Sequence, residues 1–192
     1  MNNIIKDFKT SKLENTKFVH PLKLTYNLNG RQKAWEAVQS FDSVAVLLYH
    51  EEKEAFLLVK QFRAPVYLND DSHLCTYELC AGIVDKKASL EQITKEEIDE
   101  ECGYDVPLQS IEKVTSFYTN VGVSGSCQHL FYARINESMK VHTGGGINDE
   151  QIDLMFLPLE EIDEFIYDES KAKTPGLMFS FYWFMKKNKA KI

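Results

Sequence analysis

The stretch from Lys95 to Asp105, KEEIDEECGYD, puts five carboxylates into the six positions from Glu96 to Glu101 and closes on Cys102, Gly103 and Tyr104. On a helix, Glu97 lies three positions from Glu100 and four from Glu101, so the three acids share a face and repel one another. Gly103 reads as the residue just past the helix end. The acids therefore crowd the last turn, where the helix macrodipole already presents partial negative charge. A hard divalent cation would relieve both penalties, because carboxylate oxygens are its preferred ligands. The other reading of such a run is a solvated acidic face.

The elements that must position these acids are legible in the hydrophobic pattern. Ser89 is an N-cap, Gln92 stands three residues later in capping-box position, and Leu90, Ile93, Thr94 and Ile98 make a buried stripe. Apolar runs at 43–49, 55–62 and 76–84 read as core strands, and so do 111–119, 127–135 and 152–159. Helical patterns over 160–168 and 176–187 close the chain. Residues 1–40 form an accessory region in which LKLTYNLNG and KAWEAV make a hairpin around the turn signal Asn29-Gly30, and residues 41–192 form the main domain. Strands, a helix, further strands and closing helices together predict an α+β fold with a mixed β-sheet.

Composition narrows the function. Hydrophobic residues make up 44% of the chain and charged residues 27%, as in an ordinary globular protein. A net charge of −7 argues against a nucleic-acid partner, which requires clustered Lys and Arg. The charged N-terminal stretch carries no signal-peptide core and no run approaches a membrane span, so the expected partners include no membrane and the expected location is cytoplasmic. Cys75, Cys80, Cys102 and Cys127 have no zinc-ligand spacing and are expected to be buried thiols.

The segment from Gly82 to Tyr104, GIVDKKASLEQITKEEIDEECGY, resembles the Nudix box of nucleoside diphosphate-X hydrolases. Gly82, Glu97, Ile98, Glu100, Glu101, Gly103 and Tyr104 fall on the positions of that motif. Two positions depart: Ala88 replaces the motif's first Glu and Glu96 its Arg, a pair that forms a structural salt bridge in the family, for which Lys95 or another cation would have to substitute. LVKQFRAPVY, TYELCAGIVD and GLMFSFYWF extend the resemblance to the branch acting on ADP-ribose and nucleotide sugars. Within it the chain looks most like UDP-sugar diphosphatases of the UDP-glucose type. Where the ADP-ribose enzymes carry a Pro beyond the box, this chain has Asn120 and Val121.

The resemblance implies a Nudix fold, a mixed sheet between helices, and Mg²⁺- or Mn²⁺-dependent hydrolysis of UDP-glucose to UMP and glucose 1-phosphate. ADP-ribose hydrolysis and a nucleotide-binding domain without catalysis are the alternatives. Glu97 and Glu101 are the expected direct metal ligands, with Glu100 beside them for a second ion or a bound water and the Ala81 carbonyl as main-chain ligand. Glu150, or Asp149 beside it, would supply the general base from a late loop that Gly144, Gly145 and Gly146 leave free to close, a surface turn acid on a long hairpin connection being the alternative. Arg63 would contact phosphate, and Glu78 would contact substrate or metal-bound water or else form an ion pair with Arg63. Trp35 in the hairpin offers a stacking face for a base, an interface or core position being the alternative. The branch also implies a homodimer that exchanges its N-terminal hairpins.

Overall fold

A computed structural model describes residues 5–11, 15–16, 19–147 and 150–189. Strands β1 (His20–Leu28) and β2 (Arg31–Gln39) pair antiparallel as a separate two-stranded sheet, with Leu28 opposite Arg31. Asn29 and Gly30 turn the chain with φ of 52° and 78°. Positive φ at both central residues is the hairpin turn whose twist matches the strands. Leu22, Leu24 and Tyr26 face Ala37, Trp35 and Lys33 across the pair, so one face is largely apolar, and Leu22, Leu24, Tyr26 and Trp35 all remain exposed. Two hydrogen bonds tie β2 to the loop at 119–126: Val38 N–H donates to the Val123 carbonyl (2.9 Å) and the Trp35 indole N–H to the Gly122 carbonyl (2.8 Å).

The main sheet contains β3 (Ser43–His50), β4 (Ala55–Gln61), β5 (Thr76–Glu78), β6 (Cys80–Ile83), β7 (Glu112–Tyr118), β8 (Cys127–Ile135), β9 (Ile152–Pro158) and β10 (Ala172–Lys173). Its main path runs β10-β5-β4-β3-β8-β7, parallel at β3·β8 and β10·β5 and otherwise antiparallel. The sheet splays. β3 pairs with β4 only at its C-terminal end, through Leu48 to His50, and with β6 at its N-terminal end, while β4 continues onto β5 on that side and β9 on the other. The run at 76–84, expected as one strand, breaks at Leu79 because the chain leaves β4 for β3 there.

Among the described residues four α-helices complete the fold: α1 (Ala64–Asn69), α2 (Leu90–Glu97), α3 (Ile162–Tyr167) and α4 (Pro175–Lys189). One sheet face packs Val44, Val46, Val59, Phe131 and Ala133 against Ile93, Ile98 and Cys102 of the acidic helix. The other packs Ala45, Leu47, Leu58 and Leu130 against α3 and α4 through Phe165, Leu177, Phe181 and Phe184. Both faces are covered, which is why β3 and β4 read as continuous apolar runs. Cys80 and Cys102 are buried, whereas Cys75 and Cys127 are only half-buried, and all four are free thiols. No helix among the described residues is long and apolar enough to cross a membrane.

Candidate active site

The acidic helix begins as its sequence suggests and ends differently. Ser89 Oγ accepts the Gln92 N–H (3.1 Å), but the Gln92 side chain donates forward to Glu96 (2.8 Å), so the capping box is not closed. After Glu97 the backbone widens into a π-helical turn, Ile98–Cys102, which stops at Gly103 with φ of 76°. A π turn takes an extra residue, so α-helical spacing no longer decides which acid points inward. Glu101 turns in and is 5% exposed, while Glu100 stays half-buried.

Glu101 points into the crevice where the two halves of the sheet part. This cleft of about 350 Å³ is lined by Ser43, Gln61, Arg63, Glu78, Ala81, Gly82, Ile83, Glu97, Glu101, Gln128 and Glu150. A larger cavity, about 550 Å³, lies beside the hairpin with Lys23 and Glu36 as its charged residues. The cleft is the candidate because it gathers the acids.

Within it, the Ala81 N–H donates to Glu101 Oε2 (3.0 Å). Glu97 lies flat on Gly82: a Cβ built there would sit 1.8 Å from Glu97 Oε1. Burial, then the neighbouring charges of Glu100 and Glu150, pushes the Glu97 carboxyl up to about 7. Burial likewise raises Glu101 to about 8, against the lowering effect of the Ala81 hydrogen bond. Two carboxyls held near each other in poor solvent are the environment a cation would stabilise. Among the described residues, no three His, Cys, Asp or Glu side chains converge as a closed metal cage. Two carboxylates suit Mg²⁺, which keeps several waters and shares its coordination with substrate phosphates.

Arg63 stands at the end of β4, just before α1. Its Nε and Nη2 donate to the two oxygens of Glu78, both at 2.8 Å, and Thr76 Oγ1 donates to Glu78 as well. Of the two sequence readings for Glu78, the structure therefore displays the ion pair. The guanidinium is held by one edge and keeps its remaining N–H groups free of Glu78. Glu150 Oε2 accepts the Ile147 N–H (3.1 Å) at the cleft wall, and Asp149 lies outside the described residues.

No family model matches the chain. Curated relatives do. It is 34% identical to the uridine diphosphate glucose pyrophosphatase NUDT14 of Bos taurus, over 87% of this chain and 88% of the relative. The Mus musculus protein of that name is 31% identical over the same shares. A GDP-mannose pyrophosphatase of Cronobacter sakazakii is 37% identical over 62% of this chain and 61% of its own. The chain belongs to the Nudix hydrolases.

Against the Nudix box, the two departures resolve physically. Glu96, standing where the motif has Arg, pairs with Lys86, two positions before Ala88. Cation and anion have changed places, and the tie between loop and helix persists. It is half-exposed and contributes at most about 1 kcal/mol. Lys95, the substitute cation considered from sequence, instead donates to Asp105 (2.5 Å) and to the Val106 carbonyl (3.0 Å). Arg63, Glu78, Ala81, Glu97, Glu101 and Glu150 come together in the cleft. Glu100 and Trp35 do not line it; Glu100 acts on it through its charge beside Glu97. Sequence reasoning missed Ser43, Gln61, Thr76 and Gln128, whose positions follow from strand register alone, Ser43 standing opposite both Ile83 and Gln128. Gly82→Ala is expected to swing Glu97 off the strand and lower kcat/KM about 100-fold, since ~1 Å misplacement costs that much. Because φ at Gly82 is not positive, its melting temperature should stay close to wild type; a calorimetric scan beside the kinetics checks both.

Proposed function

We propose that this Nudix hydrolase splits the diphosphate bond of a nucleoside diphosphate sugar, UDP-glucose above all, into UMP and glucose 1-phosphate. The observation that carries the reading is the pair Glu97 and Glu101, both of raised pKa, facing Arg63 across one cleft. UDP-glucose is favoured because the relatives named for it match 87% of this chain, against 62–74% for the GDP-mannose pyrophosphatases.

A diphosphate diester is doubly anionic, so attack by water needs its charge offset and the water oriented. Glu97, Glu101 and the Ala81 carbonyl would hold a divalent cation, Mg²⁺ or Mn²⁺, with Glu100 available to a second ion or a bound water. When bound, the cation supplies charge neutralisation and a more acidic water. Ala81 N–H orients Glu101 through Oε2 and leaves Oε1 for the ligand role. The free edge of Arg63 binds a phosphate oxygen, and Glu78 fixes the plane of the guanidinium. Glu150 takes a proton from the attacking water at its carboxylate.

The hairpin, residues 20–39, is the dimerisation element of this reading: its apolar face needs a partner, and a second copy supplies one. Trp35 would reach a base only from that second copy, being absent from the lining of its own cleft. The test is hydrolysis of UDP-glucose, GDP-mannose and ADP-ribose side by side, each with Mg²⁺ and with chelator, on protein whose mass is measured by light scattering. Mg²⁺-dependent cleavage fastest on UDP-glucose by a dimer of twice 22.2 kDa is expected. Silence on all three substrates would overturn the reading.

A further inference from the structure

The three consecutive glycines before Glu150 suggest a loop free to close, yet their backbone is docked. Gly145 N–H donates to the Glu101 carbonyl (2.8 Å) and Gly146 N–H to the Glu100 carbonyl (3.1 Å). These carbonyls belong to the last turn of the acidic helix, which has no further N–H of its own to satisfy them. Gly144, Gly145 and Gly146 have φ of 69°, 111° and 85°, and a Cβ on Gly144 would sit 2.4 Å from the Glu101 carbonyl oxygen. His142 pins the same segment: its Nδ1 accepts the Gly144 N–H (3.0 Å) and its Nε2 meets Asp99 of the acidic helix (3.1 Å). Beyond the glycines, Ile152 N–H returns to the Gly145 carbonyl (3.3 Å), closing the base of the short excursion that carries Glu150.

Glu101, whose side chain faces the cleft, and its neighbour Glu100 thus offer their main-chain carbonyls to the loop bearing the proposed base. We infer that His142 and the glycine run Gly144–Gly146 are positioning residues, a clasp that fixes Glu150 relative to Glu101 by capping the acidic helix. The inference rests on the role given to Glu150 above. An acid at position 150 with no part in proton transfer would need no such clasp, whereas a base must sit within hydrogen-bond reach of its water, and displacement of ~1 Å is costly.

A double-mutant cycle tests it. Gly144→Ala forces the loop off the Glu101 carbonyl and is expected to lower kcat on UDP-glucose by at least about tenfold with KM within about twofold, the signature of a lost transition-state contact. His142→Ala removes the pin from a half-exposed position without a clash, so it holds the test should Gly144→Ala not fold; it is expected to act in the same direction. In a Glu150→Gln background neither change should lower kcat further. Amide exchange read without metal gives a second measure, with Gly145 and Gly146 protected in the wild type and losing protection in His142→Ala. Loss of kcat that persists undiminished in Glu150→Gln would place the effect on Glu101 or on the fold and overturn the clasp, as would wild-type kcat in both variants. Full activity of Glu150→Gln alone would remove the base assignment and the clasp together, a pattern distinct from either.

Discussion

Glu101→Gln is expected to lower kcat/KM about a thousandfold while leaving the metal-free protein at least as stable as wild type. The two halves of this result come from one environment. Glu101 is buried, its Oε2 accepts the Ala81 N–H, and burial raises its pKa to about 8. Gln keeps the size and an oxygen for that N–H but cannot carry the charge, so the hydrogen bond survives and the desolvation cost of the carboxylate disappears. A cation's hold on the transferring phosphoryl group is worth several kcal/mol, and about 4 kcal/mol is a factor of ~10³ in rate. Steady-state kinetics and a thermal melt in chelator read the two halves separately. A variant that loses activity and stability together would make Glu101 a structural acid, and one that keeps its activity would remove it from the site.

Local chemistry was legible where residue type alone decides conformation. Ser89 caps its helix, Asn29-Gly30 turns the hairpin, and Gly103 stops the acidic run, because each needs only its own backbone preference. What escaped depends on partners distant in sequence. The break at Leu79 exists because β3 and β4 diverge, and no residue near 79 encodes that divergence. The helix α1 follows Arg63 with Pro65 in its first turn, a recognised start signal that the surrounding apolar pattern masked. Glu101 is expected beside Glu97 from α-helical spacing and does face the cleft, but it gets there through a π turn that this spacing does not encode. The glycine run reads in the sequence as freedom to close or as a plain hairpin connection, and its docking on the acidic helix is not legible there, because positive φ and close backbone approach select the same residue that flexibility does.

The acids that give the site its chemistry should also be visible in stability without any substrate. Both have folded-state pKa values raised above the ordinary 4.5, Glu97 to about 7 and Glu101 to about 8, so the folded protein holds more protons than the unfolded chain between those limits. Stability rises with pH where the unfolded state binds more protons; here the folded state does, and metal-free stability must fall as pH rises through this window. His50 opposes the trend on the acid side. Its buried ring, beside Lys53 and facing Glu52 and Glu137, has a lowered pKa, so its contribution grows as pH rises to the unfolded value of about 6.5 and is then constant. The clear interval is therefore pH 6.5 to 8, where the Glu101 titration dominates. Each tenfold change in proton affinity corresponds to about 1.4 kcal/mol, and a kcal/mol moves the melting temperature of a chain this size by ~2–4 °C. Solvent access to Glu97 reduces its share. In chelator the melting temperature is expected to fall by a few degrees across that interval. Saturating Mg²⁺ should flatten the slope, because the cation binds the deprotonated acids and its rising affinity offsets the loss, leaving neither the folded nor the unfolded state with these protons in that interval. Glu101→Gln should flatten the chelator curve and abolish most of the Mg²⁺ response. Identical curves with and without Mg²⁺ in the wild type would mean that the buried acids of this cleft hold no cation, and the proposed chemistry would then have no electrophilic partner for the phosphate.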